Sequence, residues 1–325
     1  MLGIISYLWR FIWVHILWRL YKIVAHKLTG KSRIERLCTT IQLSGKLTRS
    51  VELEILASKS LSSVHESLSS LRPFDVEQAT RAVVNSKGFG SSAEAVAVLK
   101  GCLQAMSDYN AVIEELRELK QPYSKANPQH EAALEDLWQQ LRPGVRRNGG
   151  RITKEWQEIG FQGADPATDM RGMGFLGLAQ LVNFANEHHD AALEVYGDSV
   201  THGYPMAIAG INFSLNVYDW VLTRKAAGLL YSARGGPSLW AVDSLYCQLF
   251  VIFNKEWVRE RPPNMLAFER IRAQVTERCA RRLEQEAGEP LHSFESKTSK
   301  RPSRLMGDFA AASGPASPAS PSNVL

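Results

Sequence analysis

The sequence has few of the residues and motifs from which common catalytic and metal sites are built. Its four cysteines include no Cys-x-x-Cys pair, so we expect free or buried thiols in a reducing compartment and no metal site. It contains no Gly-x-x-x-x-Gly-Lys-Ser/Thr phosphate loop and no Gly-x-Ser-x-Gly elbow. We therefore expect the chain to be neither a P-loop GTPase nor an esterase.

Outside the N-terminal region the chain is also close to neutral. The chain of 325 residues carries +5, and residues 1–36 alone carry seven Lys or Arg against one Glu. The remaining residues therefore have a net charge of −1, without the excess of basic residues expected of a nucleic-acid-binding domain. Positive charge beside an apolar segment indicates a membrane surface as the partner, and no nucleic acid.

Sustained period-two alternation, the mark of half-buried strands, is absent from the sequence. Apolar residues instead recur at spacings of three and four, which predicts an all-α, multi-helix fold with an N-terminal helical extension. We divide the chain into an apolar, basic helix over 1–30, a helical region over 37–126 packed on the main domain, that domain over 127–290, and a disordered tail over 296–325.

The N-terminal segment is the most apolar and tryptophan-rich part of the chain. Arg10 interrupts its longest apolar run, and a charge at the centre of a bilayer costs roughly 2.5–3.5 kcal/mol or more. An interfacial helix is therefore favoured over a membrane span, while a helix packed on the domain remains the other alternative. The residues expected at the membrane are Trp9, Trp13, Trp18, Arg19 and Lys22.

Capping residues divide the body into helices. Asp75 with Gln78 and Ser91 with Glu94 are capping boxes, and the second predicts a long helix that ends at Gln121-Pro122. A turn is expected over 85–88 between these two helices.

Further helices are predicted towards the C-terminus. Asn127-Pro128 predicts a helix start, and the apolar stretch 206–222 predicts a central core helix. Asp190 is expected to cap a short helix, residues 240–257 to form another, and Asn264 to cap the last.

One stretch, Trp156 to Leu178, is dense in glycine and short polar residues. It is predicted to begin as a helix that buries Ile152 with Trp156, is capped by Thr153 and is stopped by Gly160. A rigid polar loop follows, holding one guanidinium, Arg171, before a new helix begins near Phe175. Such a loop between packed helices is well suited to hold a functional arginine.

This stretch resembles the signature of the ELMO-domain family, Trp-x-x-Ile-Gly-Phe-Gln-Gly-x-Asp-Pro-x-Thr-Asp-x-Arg-Gly-Met-Gly. Met170 stands where the family usually has Phe. Further likenesses are found at 28–31, 127–131, 137–138, 203–204 and 207–212. The layout is similar to the short, stand-alone members of the family, and 127–290 would be the ELMO domain.

The resemblance implies a GTPase-activating protein for Arf-family or Arf-like small GTPases, which supplies an arginine in trans and is not itself an enzyme. Arg171 would be the catalytic arginine, and no cofactor is expected beyond the partner's GTP and Mg²⁺. The alternative role for Arg171 is structural, pairing with Asp165, Asp169 or another acid to pin the loop. The residues expected to bind the partner or shape the loop are Trp156, Gly160, Phe161, Gln162, Asp165, Pro166, Thr168, Asp169, Gly172 and Gly174.

Two other functions remain open at this point. One is a non-catalytic adaptor that binds a GTPase or scaffold through the same surface, and the other is a lipid-binding tether. The expected location is cytoplasmic and peripheral to a membrane, such as endoplasmic reticulum, mitochondria or lipid droplets. His188-His189-Asp190 resembles part of a metal site, but adjacent histidines do not share a helix face, so a solvated helix end is expected.

Overall fold

The computed structural model describes residues 24–25, 27–40, 42–89 and 92–285. Over these residues it is helical and contains no strand, which confirms the all-α prediction. The membrane residues predicted between Trp9 and Lys22 and the predicted tail 296–325 lie outside the described residues. None of the described helices is long and apolar enough to cross a bilayer.

The chain divides into two compact units: residues 1–111 with 227–237, and residues 112–226 with 238–325. The described helices of the first unit are α1 (Arg33–Thr40), α2 (Gly45–Leu56), α3 (Ser62–Ser69), α4 (Val76–Lys87), most of α5 (Ala93–Leu119) and α10 (Ala227–Ser232). The second unit contains the end of α5 with α6 (Pro128–Leu141), α7 (Gly174–Glu187), α8 (His189–His202), α9 (Met206–Leu222), α11 (Leu239–Glu260) and α12 (Phe268–Gln285).

In the first unit, α10 packs closely against α2. A Cβ on Gly45 would lie 2.0 Å from the Ser232 hydroxyl, so this contact requires a glycine. The Tyr231 hydroxyl donates to the fully buried Glu52 carboxylate at 2.8 Å. A buried carboxylate needs such donors because its desolvation would otherwise be costly.

The second unit is built around α7. Twelve of its fourteen residues are buried, so this helix lies inside the unit and has no solvent-facing stripe. Helices α6, α9 and α11 pack against it. The predicted core helix over 206–222 is confirmed as α9 with the predicted bounds.

Several predicted helix ends are also confirmed. Asp75 accepts from the backbone N–H of Gln78 at the start of α4, and Asn127 accepts from Gln129 at the start of α6. The helix predicted over 240–257 is α11, extended by one residue at its start and three at its end.

The prediction of a turn over 85–88 was wrong. Helix α4 continues to Lys87 and ends at Gly88, whose φ of 60° is the left-handed conformation that glycine adopts readily. The cap predicted from Ser91 also needs correction, because Ser92 accepts from Ala95 N–H at 3.2 Å. Ser91 itself lies outside the described residues.

Three predictions further along the chain were also wrong in detail. Asp190 does not cap α8, which begins at His189 without a side-chain cap and runs for 14 residues. Asn264 caps a short 3₁₀ turn, Met265–Ala267, that precedes α12. Ile152 is exposed, because the 3₁₀ helix begins only after Thr153.

Candidate functional site

The signature folds as two six-residue 3₁₀ helices, Lys154–Ile159 and Pro166–Arg171, followed by α7. Thr153 caps the first by accepting from Glu155 N–H, as predicted, and Gly160 ends it with φ of 90°. The second was predicted as loop, yet Asp165 caps it by accepting from Ala167 N–H and Pro166 stands at its start. Capping residue and proline together favour a helical turn here.

The aromatic side chains of the signature are buried and form its floor. Trp156 is fully buried and Phe161 is 3% exposed. The indole of Trp156 meets the Trp138 ring edge-on at 5.8 Å, and its Nε1 donates to the Arg151 carbonyl at 2.8 Å. Met170, at the position where the family usually has Phe, is also buried. These side chains support the loop from the interior of the unit and are not available for contact with a partner.

Two glycines of the signature bring backbones into close contact. A Cβ on Gly160 would lie 2.2 Å from the Met206 nitrogen at the start of α9. Gly174 has φ of 57°, and a Cβ there would lie 2.2 Å from the Gln121 carbonyl oxygen. By contrast, Gly172 has an ordinary helical backbone with nothing within 4 Å of such a Cβ. Only the first two positions exclude a side chain by geometry.

Asp165 is held by two cations and so fixes the start of the second 3₁₀ helix. Its two oxygens accept from Lys125 Nζ and Arg151 Nη1, both at 2.7 Å. Arg151 also donates through Nε to Glu131 at 2.8 Å, and Glu131 accepts from the Tyr123 hydroxyl at 2.7 Å. Burial opposes ionisation of Asp165, but these donors outweigh it and lower its pKa to about 2.

Asp169 closes the loop onto itself. Its carboxylate accepts from the Gln162 N–H at 2.8 Å, while the Thr168 hydroxyl donates to the Asp165 carbonyl at 2.8 Å. Burial raises the pKa of Asp169 despite the donor from Gln162. Both acids named as alternative partners of Arg171 are therefore engaged with other groups.

Arg171 is exposed at the end of the second 3₁₀ helix. Its Nε donates to the Thr168 carbonyl at 3.0 Å, which orients the guanidinium from its own helix. Among the described residues, no carboxylate forms an ion pair with Arg171, and Asp169 acts on it only through a longer-range attraction. The two terminal nitrogens, the pair that binds bidentate acceptors, thus remain available at the surface.

The exposed side of the signature is polar. Besides Arg171, the side chains of Gln157, Gln162 and Thr168 are exposed, and Gly172 leaves backbone open beside the arginine. These groups, with Arg171, form what we call the signature face. They offer hydrogen-bond donors and acceptors but no large apolar anchor.

Sequence reasoning assigned no role to Lys125 or Arg151, and noted Glu131 only as part of a family likeness. The contacts join positions 14 to 40 residues apart, so spacing along the chain gives no signal for them. The same holds for His130, whose ring stacks on Phe175 at 4.1 Å.

His188 and His189 were expected to form a solvated helix end, but the structure leaves them only partly exposed. Both rings are half-buried at the junction of α7 and α8, and burial lowers the pKa of His188. All four cysteines are buried free thiols, as predicted. Burial raises the pKa of Cys102 to about 11, so its thiol stays protonated and unreactive at neutral pH. No cluster of metal-ligating side chains is found in the part of the chain that is described.

Comparison with known proteins identifies relatives that all belong to one family. The model of the ELMO/CED-12 family matches residues 114–272, which include the whole signature. ELMO domain-containing protein B of Dictyostelium discoideum is 35% identical over 263 residues, covering 79% of this chain and 91% of that protein. Human ELMO domain-containing protein 2 is 31% identical over 278 residues, covering 83% and 93%. No solved structure matches the chain significantly.

These relatives match along most of their own length as well as most of this chain, and the signature lies within the region of the family model. The chain belongs to the ELMO/CED-12 family.

Proposed function

We propose that the chain accelerates GTP hydrolysis by a small GTPase of the Arf or Arf-like class, with Arg171 entering the partner's active site. The observation that carries the proposal is the state of Arg171: exposed, oriented by one backbone carbonyl and without an ion-pair partner among the described residues. The neighbouring acids are held by Lys125, Arg151 and the Gln162 N–H. An arginine that served to pin the loop would be expected to use one of those carboxylates.

The physical requirement of the reaction matches this arrangement. Negative charge grows on the phosphate oxygens of GTP in the transition state, and an arginine supplied in trans is worth about 10³–10⁵ in rate. The guanidinium stays charged and presents a planar fork of donors. Within the loop the guanidinium is held through Nε, so its two terminal nitrogens remain available to the partner. Because the side chain is already oriented, little further entropy is lost when it binds.

A single-turnover assay on a panel of Arf-family GTPases tests the proposal. Each GTPase is loaded with GTP, the chain is added, and the rate of phosphate release is followed. We expect at least one GTPase to hydrolyse GTP faster by about 10³-fold or more, the lower end of the range for an arginine in trans. Binding to a GTP-loaded GTPase without acceleration would instead identify a non-catalytic adaptor.

We further propose that residues 1–30 hold the chain at a membrane surface in the cytoplasm. The support is their apolar, tryptophan-rich composition beside a net charge of +6 over residues 1–36. Flotation of the chain on anionic liposomes measures this attachment. Liposome binding with no GTPase activation or binding would favour the tether.

A further inference from the structure

Arg151 lies just before the first 3₁₀ helix of the signature and connects two other segments of the second unit. Its Nε donates to Glu131 at 2.8 Å, and its Nη1 donates to Asp165 at 2.7 Å. Glu131 belongs to the first turn of α6 and also accepts from the Tyr123 hydroxyl at 2.7 Å. One guanidinium therefore links the start of the second 3₁₀ helix to a packed helix of the core.

The backbone of Arg151 is fixed as well as its side chain. Its carbonyl accepts from Nε1 of Trp156, which is fully buried. The Arg151 side chain is 23% exposed, against 54% for Lys125, the other cation that pairs with Asp165. Lys125 is a point charge on a flexible stem, whereas Arg151 engages two carboxylates through a planar group. Arg151 is thus the more rigid of the two groups that hold Asp165.

A series of hydrogen bonds connects Asp165 to Arg171. The Asp165 carboxylate accepts from the Ala167 N–H at 3.1 Å. The Asp165 carbonyl accepts from the Thr168 N–H at 3.1 Å and from the Thr168 hydroxyl at 2.8 Å. The Thr168 carbonyl in turn accepts from Nε of Arg171 at 3.0 Å. The direction of the Arg171 side chain therefore depends on where Asp165 holds this helix.

We propose that Arg151 is a positioning residue for Arg171, because it holds Asp165 and, through Asp165, the helix that presents the Arg171 guanidinium. The inference rests on the proposed action on a GTPase and deepens it. Nε and Nη1 of Arg151 are engaged with carboxylates. Arg151 thus acts on the reaction through Arg171 and not by contact with the phosphates.

Positioning affects the rate because donors stabilise a transition state only from the correct place. A displacement of about 1 Å can cost a catalytic group about 10²-fold in rate. Without the Arg151 guanidinium, Asp165 would keep only the exposed Lys125 as a cationic partner among the described residues. The start of the helix would be held less firmly, and Arg171 would adopt more orientations in the complex.

The test compares Arg151→Gln with Arg272→Gln in the full chain. Arg272 is a matched control: its side chain is 16% exposed, pairs with Glu269 and donates to Asn216, all outside the signature. Increasing amounts of each variant, in excess, are added to a GTP-loaded GTPase that the parent activates. Single-turnover rates then give two quantities, the plateau rate and the concentration of chain at half-saturation.

We expect Arg151→Gln to lower the plateau rate roughly tenfold to hundredfold and to change the half-saturation concentration by less than about threefold. Arg272→Gln should keep the plateau rate of the parent. A variant that only unfolds in part leaves less folded chain, which raises the half-saturation concentration but does not change the plateau rate. An Arg151→Gln plateau rate equal to that of the parent would overturn the inference.

Asp165→Asn tests the route from Arg151 to Arg171. If Arg151 acts through Asp165, Arg151→Gln should slow hydrolysis much less in the Asp165→Asn background than in the parent. A double variant whose loss equals the product of the two single losses would overturn the inference. If Arg151→Gln does not fold, Arg151→Lys carries the same comparisons, since lysine can retain one ion pair but lacks the planar fork.

A second measurement needs no GTPase. In ¹⁵N NMR, the position and order parameter of the Arg171 Nε–Hε signal report how firmly this side chain is held. Both should change in Arg151→Gln and match the parent in Arg272→Gln. A signal unchanged in Arg151→Gln would overturn the inference and leave the proposed function standing. A parent that activates no GTPase would overturn the proposed function, and the NMR signal would then decide whether Arg151 orders Arg171.

Discussion

Replacement of Gly174 by alanine, compared with the same change at Gly172, tests how the signature is held. At Gly174 the backbone is left-handed, which costs alanine about 1 kcal/mol relative to glycine. The new Cβ would also lie 2.2 Å and 2.4 Å from the carbonyl oxygens of Gln121 and Lys120. Moving packed backbone to relieve such overlap costs about 1–3 kcal/mol. The expected destabilisation is therefore roughly 2–4 kcal/mol.

Thermal melting followed by circular dichroism measures the effect. At about 2–4 °C per kcal/mol, Gly174→Ala should lower the melting temperature by roughly 4–16 °C. Gly172→Ala should leave it unchanged or raise it slightly, because its φ of −78° suits any residue and alanine reduces the entropy of the unfolded chain. Equal melting of the two variants would refute the reasoning.

Two further predictions concern the ionic contacts and the N-terminus. Asp165→Asn keeps the helix cap but loses the charge that holds Lys125 and Arg151, so it should destabilise the fold by about 1–3 kcal/mol, whereas Asp219→Asn, at an exposed position, should change stability by less than about 0.5 kcal/mol. Because folding lowers the pKa of Asp165 from 3.8 to about 2, this difference should be full above pH 4 and shrink as the pH falls towards 2; a gap that persists at pH 2 would contradict it. Deletion of residues 1–27 should abolish flotation on anionic liposomes while the melting temperature is retained, and an unfolded product would show that this segment packs on the domain.

Local chemistry explains which parts of the fold could be predicted from the sequence. Caps such as Asp75 and Asn127 accept from backbone N–H groups two or three residues away, so their effect can be predicted from the local sequence. The bounds of α9 were predicted correctly because Pro205 and a long apolar run define them locally. The 3₁₀ form of the signature was not predicted. Its turns depend on packing of Trp156 against Trp138 and on hydrogen bonds between residues several positions apart.

The surroundings of Arg171 could be predicted only in part. Its position in a polar, glycine-bounded loop followed from the sequence. Which acid pairs with which base did not, because Lys125, Arg151 and Asp165 come from three separate segments that only the folded unit brings together. A cluster that joins distant segments leaves no periodic pattern for sequence reasoning to detect.

The substitution Arg171→Lys measures the central claim most directly. Lysine retains the charge but lacks the planar fork and the Nε that bonds to Thr168, so it should lose nearly all acceleration of GTP hydrolysis in the single-turnover assay. Arg146→Lys, at an exposed arginine outside the signature, provides the matched control.

Because such an arginine acts on the transition state, affinity for the GTPase loaded with a non-hydrolysable GTP analogue should fall by only a small factor, and melting should be unchanged. The account predicts at least about a hundredfold loss of the acceleration for Arg171→Lys, with Arg146→Lys like the parent. Retention of most of the acceleration by Arg171→Lys would contradict it.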